Sequence, residues 1–184
     1  IIEREFSYEL IKNVTKLSEN KLKTYLTMLR DAELIYERGL YPEGTYIFKH
    51  ALTRAVVYDS ILTKKKKKLH YKIGCAIENI YEESIHEYYG VLVNHFLESE
   101  NYAKTAEYSK LAGNKAEASA CFPEAIEYAK KRISCLEKLP ETKGTQKKII
   151  NARTKLGYYY IKLDYFAKAK EPIAPILDIA REYN

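Results

Sequence analysis

Glycine and proline are scarce, with seven and five in 184 residues. Strand-rich folds need turn residues at short intervals, which excludes a sandwich or barrel as the main architecture. The abundance of Ala, Leu, Ile, Lys and Glu predicts packed helices instead. Cysteine is scarcer still. Cys75, Cys121 and Cys135 form an odd set with no close pair, which excludes a disulfide framework and a CxxC metal site and fits a reducing cytosol. No apolar run approaches the roughly 18 to 20 residues that a bilayer-spanning helix needs, so no membrane is expected as a partner. The opening residues Ile1-Ile2-Glu3-Arg4-Glu5 lack the charged-then-apolar order of a secretion signal. They also lack an initiator Met, and Ile1 and Ile2 read as the end of a strand or loop continuing from upstream. The expectation is therefore an excised piece of a larger cytoplasmic protein.

With 46% hydrophobic residues, the chain can build one sizeable core, or a small domain joined to a repeat array. The net charge of +6 favours anions in general, but ordinary solvation of helix faces by part of the 31 basic residues accounts for it. Charge alone selects no partner.

The first 50 residues differ in texture from the rest. Phe6, Leu10, Ile11 and Val14 recur at helical spacing, and Ser18-Glu19-Asn20 offers a cap for a second apolar face made of Leu22, Tyr25, Leu26 and Leu29. After Ala32 the pattern switches to two β-rich runs, Leu34 to Arg38 and Thr45 to Lys49, separated by Gly39, Pro42 and Gly44. Short helices followed by a hairpin make a winged-helix-like segment over 1–50. A connecting helix is expected over 51–63, and helical repeats over 64–184. In detail the pattern predicts helices over 51–62, 64–83, 86–99, 102–119, 122–138, 146–162 and 165–182, joined by short connections that place neighbours antiparallel.

Within that region the chain resembles itself. Leu111-Ala112-Gly113, Ala116, Phe122, Ala125 and Ala129 match Lys155-Leu156-Gly157, Tyr160, Phe166, Ala169 and Ile173 at a constant offset of 44 residues. A weaker copy starts at Ile73-Gly74 and Ile77. Small residues let one helix approach the next, and aromatic and aliphatic ones fill the space between pairs, which is the logic of tetratricopeptide repeats. The plainer alternative is an ordinary helical bundle. The expected fold is mainly α: a winged-helix-like segment with a β-hairpin, followed by an α-solenoid of helix pairs.

Three blocks then carry a resemblance: Arg4-Glu5-Phe6-Ser7-Tyr8-Glu9-Leu10, Ala32 to Gly39, and Tyr46-Ile47-Phe48-Lys49-His50-Ala51-Leu52. In order and content they resemble the region after the nucleotide-binding domain of STAND-class ATPases, of the AAA type associated with adenylate and guanylate cyclases. The run Tyr58 to Leu62, the lysines Lys64 to Lys68 and the pair Leu69-His70 follow in the order that family has, although relatives carry arginines where this chain has lysines. The resemblance implies a parent in which a nucleotide-driven switch is gated by C-terminal repeats, with ATP bound upstream and no cofactor here. It places no enzymatic part in this chain, and no GxxxxGK[ST] phosphate loop is present.

The side chains agree with a non-catalytic role. His50, His70, His86 and His95 are scattered, without a Ser or Cys at a recognisable spacing. His50 is expected to cap the next helix or pack, and His70 and Cys75 are five apart, not the i, i+4 spacing of a metal pair. Two features invite anions. The lysines Lys64, Lys65, Lys66, Lys67 and Lys68 point in several directions around a helix start, and solvation is their plain reading. The helix before the hairpin, about 19–33, carries Lys21, Lys23 and Arg30, so a DNA-binding winged-helix regulator stands as the alternative function. The interleaved Glu19, Thr24 and Asp31 weaken it. In the resembling family that module packs within its own chain.

The repeat positions carried from tetratricopeptide arrays put Tyr71 and Glu78, then Lys110, Asn114 and Glu117, then Thr154, Tyr158 and Ile161 on the concave side. These are the expected contacts for a protein, a peptide or another domain of the parent; their plain reading is solvation of a short solenoid.

Overall fold

Ser7 sets the first boundary. Its Oγ accepts the Leu10 backbone N–H at 3.1 Å, which starts helix α1 (Tyr8–Thr15) and leaves the preceding residues free to extend. Phe6 therefore lies in a strand, β1 (Glu5–Ser7), and not in the helix that its spacing to Leu10 suggests. The computed structural model describes residues 5–39 and 44–177. Ile1, Ile2 and Pro42, and the expected helix beyond 177, lie outside the described residues. The chain divides into two units, Ile1–Ile85 and His86–Asn184.

In the first unit α1 ends at Lys16 in the left-handed region, and α2 (Glu19–Asp31) follows. Strands β2 (Ile35–Arg38) and β3 (Thr45–Phe48) pair antiparallel, and β1 adds to the far edge of β3, giving the order β1-β3-β2. Tyr46 stands opposite Phe6 on one side and Glu37 on the other. Its ring stacks on Phe6 at 5.8 Å, and its phenol donates to the Glu37 carboxylate at 3.0 Å. The core gathers Tyr8, Leu10, Val14, Leu22, Leu26 and Ile35 around this sheet. Helix α3 (Ala51–Ser60) buries none of its residues. His50 occupies its N-cap position without a side-chain capping hydrogen bond, so of the two expected roles, capping the next helix or packing against an upstream switch domain, the first is not made. Helix α4 (Thr63–Ile80) packs on α1 through a face that includes Ile73, Gly74, Ala76 and Ile77.

The boundary between the units falls in a 3-10 segment, Glu82–Glu87. Beyond it come α5 (Tyr89–Glu98), α6 (Tyr102–Ala118), α7 (Phe122–Leu136), α8 (Lys143–Lys162) and α9 (Phe166–Lys170). Each packs chiefly on its neighbours in sequence. Helix α8 starts three residues earlier than its pattern suggests, because the Thr142 hydroxyl accepts the Thr145 N–H at 3.1 Å. Within the expected span 165–182, helix α9 ends at Lys170: Pro172 and Pro175 cannot donate in a helix interior, and the described chain continues in turns and a 3-10 segment, Ala174–Ile176, before Leu177.

Some of the matched letters also share local geometry. Glu100, Ala120 and Asp164 all adopt left-handed backbone, with φ of 58°, 54° and 60°. The N–H of the next residue, Asn101, Cys121 or Tyr165, bonds back to the carbonyl of Phe96, Ala116 or Tyr160 at 2.8 to 2.9 Å. This helix-ending turn also closes α2, where Glu33 has φ of 57° and the Leu34 N–H bonds to the Leu29 carbonyl at 3.0 Å, so it is a general device of the described helices and not a mark of the expected repeats. Gly113 faces the Ala125 carbonyl and Tyr128, and Gly157 faces the Ala169 carbonyl and Ile173, so both glycines meet the backbone twelve residues ahead. The core between them is built from Ala116, Ala125, Ala129, Ile133, Ala152, Leu156 and Tyr159. Small side chains make these close crossings, and the fold is mainly α with one small three-stranded sheet.

Candidate partner-binding face

Residues from α6, α7 and α8 line a narrow cleft in the second unit. From α6 come Ser109, Lys110 and Asn114, from α7 Arg132, and from α8 Lys155 and Tyr159. Lys110 and Asn114 are exposed, while Ser109 and Arg132 keep only 1% and 8% of their surface. The Ser109 Oγ is buried with no hydrogen-bond partner among the described residues. Arg132 donates through Nη1 to Asn151 Oδ1 at 3.1 Å, and its burial pulls its pKa down from the ordinary arginine value. The free space is about 10 Å³, which is the scale of a single water site.

Glu117 ties α6 to α8. Its carboxylate lies 2.8 Å from Lys155 Nζ and accepts the Tyr159 hydroxyl at 3.2 Å. Burial, then the Glu117 charge, pushes the Tyr159 phenol well above its usual range. Lys155 also lies 5.3 Å from the centre of the exposed Tyr158 ring, with Lys162 at the same distance. Thr154, Tyr158 and Ile161 are all exposed and follow i, i+4, i+7 spacing, so they share one face of α8.

Of the eight residues expected on the concave side, six lie in this unit. Lys110 and Asn114 share the cleft, Glu117 reaches α8 directly, Tyr158 joins through Lys155, and Thr154 and Ile161 extend the α8 face. Tyr71 and Glu78 lie on α4, in the other unit. The sequence reading missed Ser109, Arg132, Lys155 and Tyr159. Lys155 stands 44 residues after Leu111, so the offset that matched the two segments hid its charge.

The lysine run opens α4. Lys66 lies 3.9 Å from the Asp59 carboxylate with its Nζ 4.2 Å above the Tyr58 ring, whereas Lys64, Lys65 and Lys68 are exposed and Lys67 is half-buried. The five do not form one surface. On α2, Arg30 is drawn to Asp31 and Glu37, at 3.4 and 3.9 Å, and Tyr25, Met28 and Leu29 are exposed. His70 is buried with Tyr58 Oη 3.2 Å from its Nε2. Among the described residues no group of three or more His, Cys, Asp or Glu side chains is placed to hold a metal ion, and no helix is long and apolar enough to cross a membrane. No family model, curated protein or solved structure matches this chain.

Proposed function

We propose that this chain is a non-catalytic regulatory piece of a STAND-class, cyclase-associated ATPase, and that the α6–α8 face docks a protein or peptide segment. The observation that carries the reading is the repeated construction of the helix pairs. Gly113 and Gly157 each face the carbonyl twelve residues ahead, and Lys110 and Asn114 stand exposed beside a shallow cleft with room for about one water. Lys155 on this face is already paired with Glu117, so the exposed cation offered to a partner is Lys110, beside the Asn114 amide, and this combination suits an acidic segment. Regulation by such a surface works through differential binding, since a docked segment shifts the upstream switch only by preferring one of its states.

Fluorescence anisotropy with short Glu-rich peptides and their Gln-substituted counterparts tests this. The acidic set should bind saturably and lose about tenfold or more on Lys110→Ala or Tyr158→Ala, with the helical circular dichroism unchanged. Equal binding by both peptide sets, or by both variants and the parent sequence, refutes the face. A sequence-specific DNA complex that survives about 200 mM salt replaces this reading with a winged-helix DNA regulator.

A further inference from the structure

The first unit contains a cavity of about 320 Å³, within the roughly 300–1,000 Å³ range of small-molecule sites. Its walls are apolar, formed by Leu22, Leu26 and Leu29 of α2, by Phe48, and by Val57 and Ile61 at the end of α3. Helix α3 buries no residue. Val57 is 52% exposed even though it lines the cavity, so access from solvent is open. The hollow is a groove open to solvent, with Tyr25, Leu29 and Val57 exposed along it, and a contiguous exposed apolar surface of this kind marks a ligand or partner site.

One charged group is present. Arg54, half-buried, is the single ionisable cation of the lining, which holds no carboxylate. Arg54 makes no side-chain hydrogen bond or ion pair among the described residues. Guanidinium geometry matches a planar carboxylate with two parallel N–H donors. We propose that this cavity binds a small amphiphilic monocarboxylate, its chain among Leu26, Leu29 and Phe48 and its head on Arg54. The walls select for apolar length and the guanidinium selects for the head.

Isothermal titration of the whole chain with octanoate, decanoate and octan-1-ol, all below micellar concentration, tests the assignment. Decanoate should bind more tightly than octanoate by about fourfold per added methylene, and octanoate more tightly than octanol by about 10- to 100-fold. R54Q should abolish the preference for acid over alcohol while leaving octanol unaffected. V57F, a substitution at an exposed lining position, should weaken both ligands by filling the space, with circular dichroism reporting that both variants fold. Absence of saturable decanoate binding, equal affinity for acid and alcohol, or indifference to V57F each overturns the proposal. So does a dimer in sedimentation equilibrium that decanoate cannot enter, which assigns the cavity to a second copy of the chain.

Discussion

Gly113 and Gly157 stand 44 residues apart in matched segments but differ in the room around them. A methyl group at Gly113 would meet Tyr128 Cβ at 3.5 Å, an ordinary contact, whereas at Gly157 it would meet the Ala169 carbonyl at 3.1 Å and Ile173 Cδ1 at 2.8 Å. Gly113→Ala should therefore stabilise the second unit by about 0.5–1 kcal/mol through helix propensity. Gly157→Ala should destabilise it by about 1 kcal/mol or more, because the carbonyl cannot move aside cheaply. Urea melts of the two variants give both signs. Ala120 gains nothing from its Cβ in left-handed backbone, so Ala120→Gly should raise stability by about 0.5–1 kcal/mol in the same assay. Tyr159 gives a pH signature. The folded chain holds its phenolic proton more tightly than the unfolded chain does, so stability is fully present below pH about 10 and falls as pH rises above it. Thermal melts from pH 9 to 11 should show a shallower alkaline decline for Tyr159→Phe than for the parent sequence.

At the scale of elements, the helices were legible because their limits are chemical. Asn101 caps α6 by accepting the Lys104 N–H, and Pro123 opens α7 where its missing donor costs nothing. Strand β1 was hidden because three residues give no period, and Phe6 stands at helical spacing from Leu10. The short α9 was hidden for the opposite reason: its apolar spacing continues past Pro172 and Pro175, which the periodicity does not weigh. The opening of α4 runs against its dipole, since five lysines crowd the end that favours negative charge. Replacing exposed Lys64 and Lys65 with Glu should stabilise the first unit by about 0.3–1 kcal/mol each. The gain should shrink as salt is added, and chemical denaturation at low and high ionic strength follows both.

For the molecule as a whole, the sequence placed some of the residues of the α6–α8 face and not others. Lys110, Asn114, Glu117, Thr154, Tyr158 and Ile161 were expected there from tetratricopeptide positions carried onto the chain. Arg132, Ser109 and the Glu117–Lys155 pair were not, because they arise where α6, α7 and α8 meet, and no local pattern encodes that meeting. With a net charge of +6, the chain should retard random duplex DNA weakly at low salt and release it by about 200 mM; a gel shift across a salt series reads this directly.

In the second unit each helix is held chiefly by the helix before it and the helix after it. Tension along the chain would meet a series of neighbour-to-neighbour latches of unequal strength, the firmest between α6 and α7, and not one shared lock. Pulled from its C-terminal end, this unit should pay out length in steps of one helix or one pair, and a tether of that kind yields by degrees before it fails.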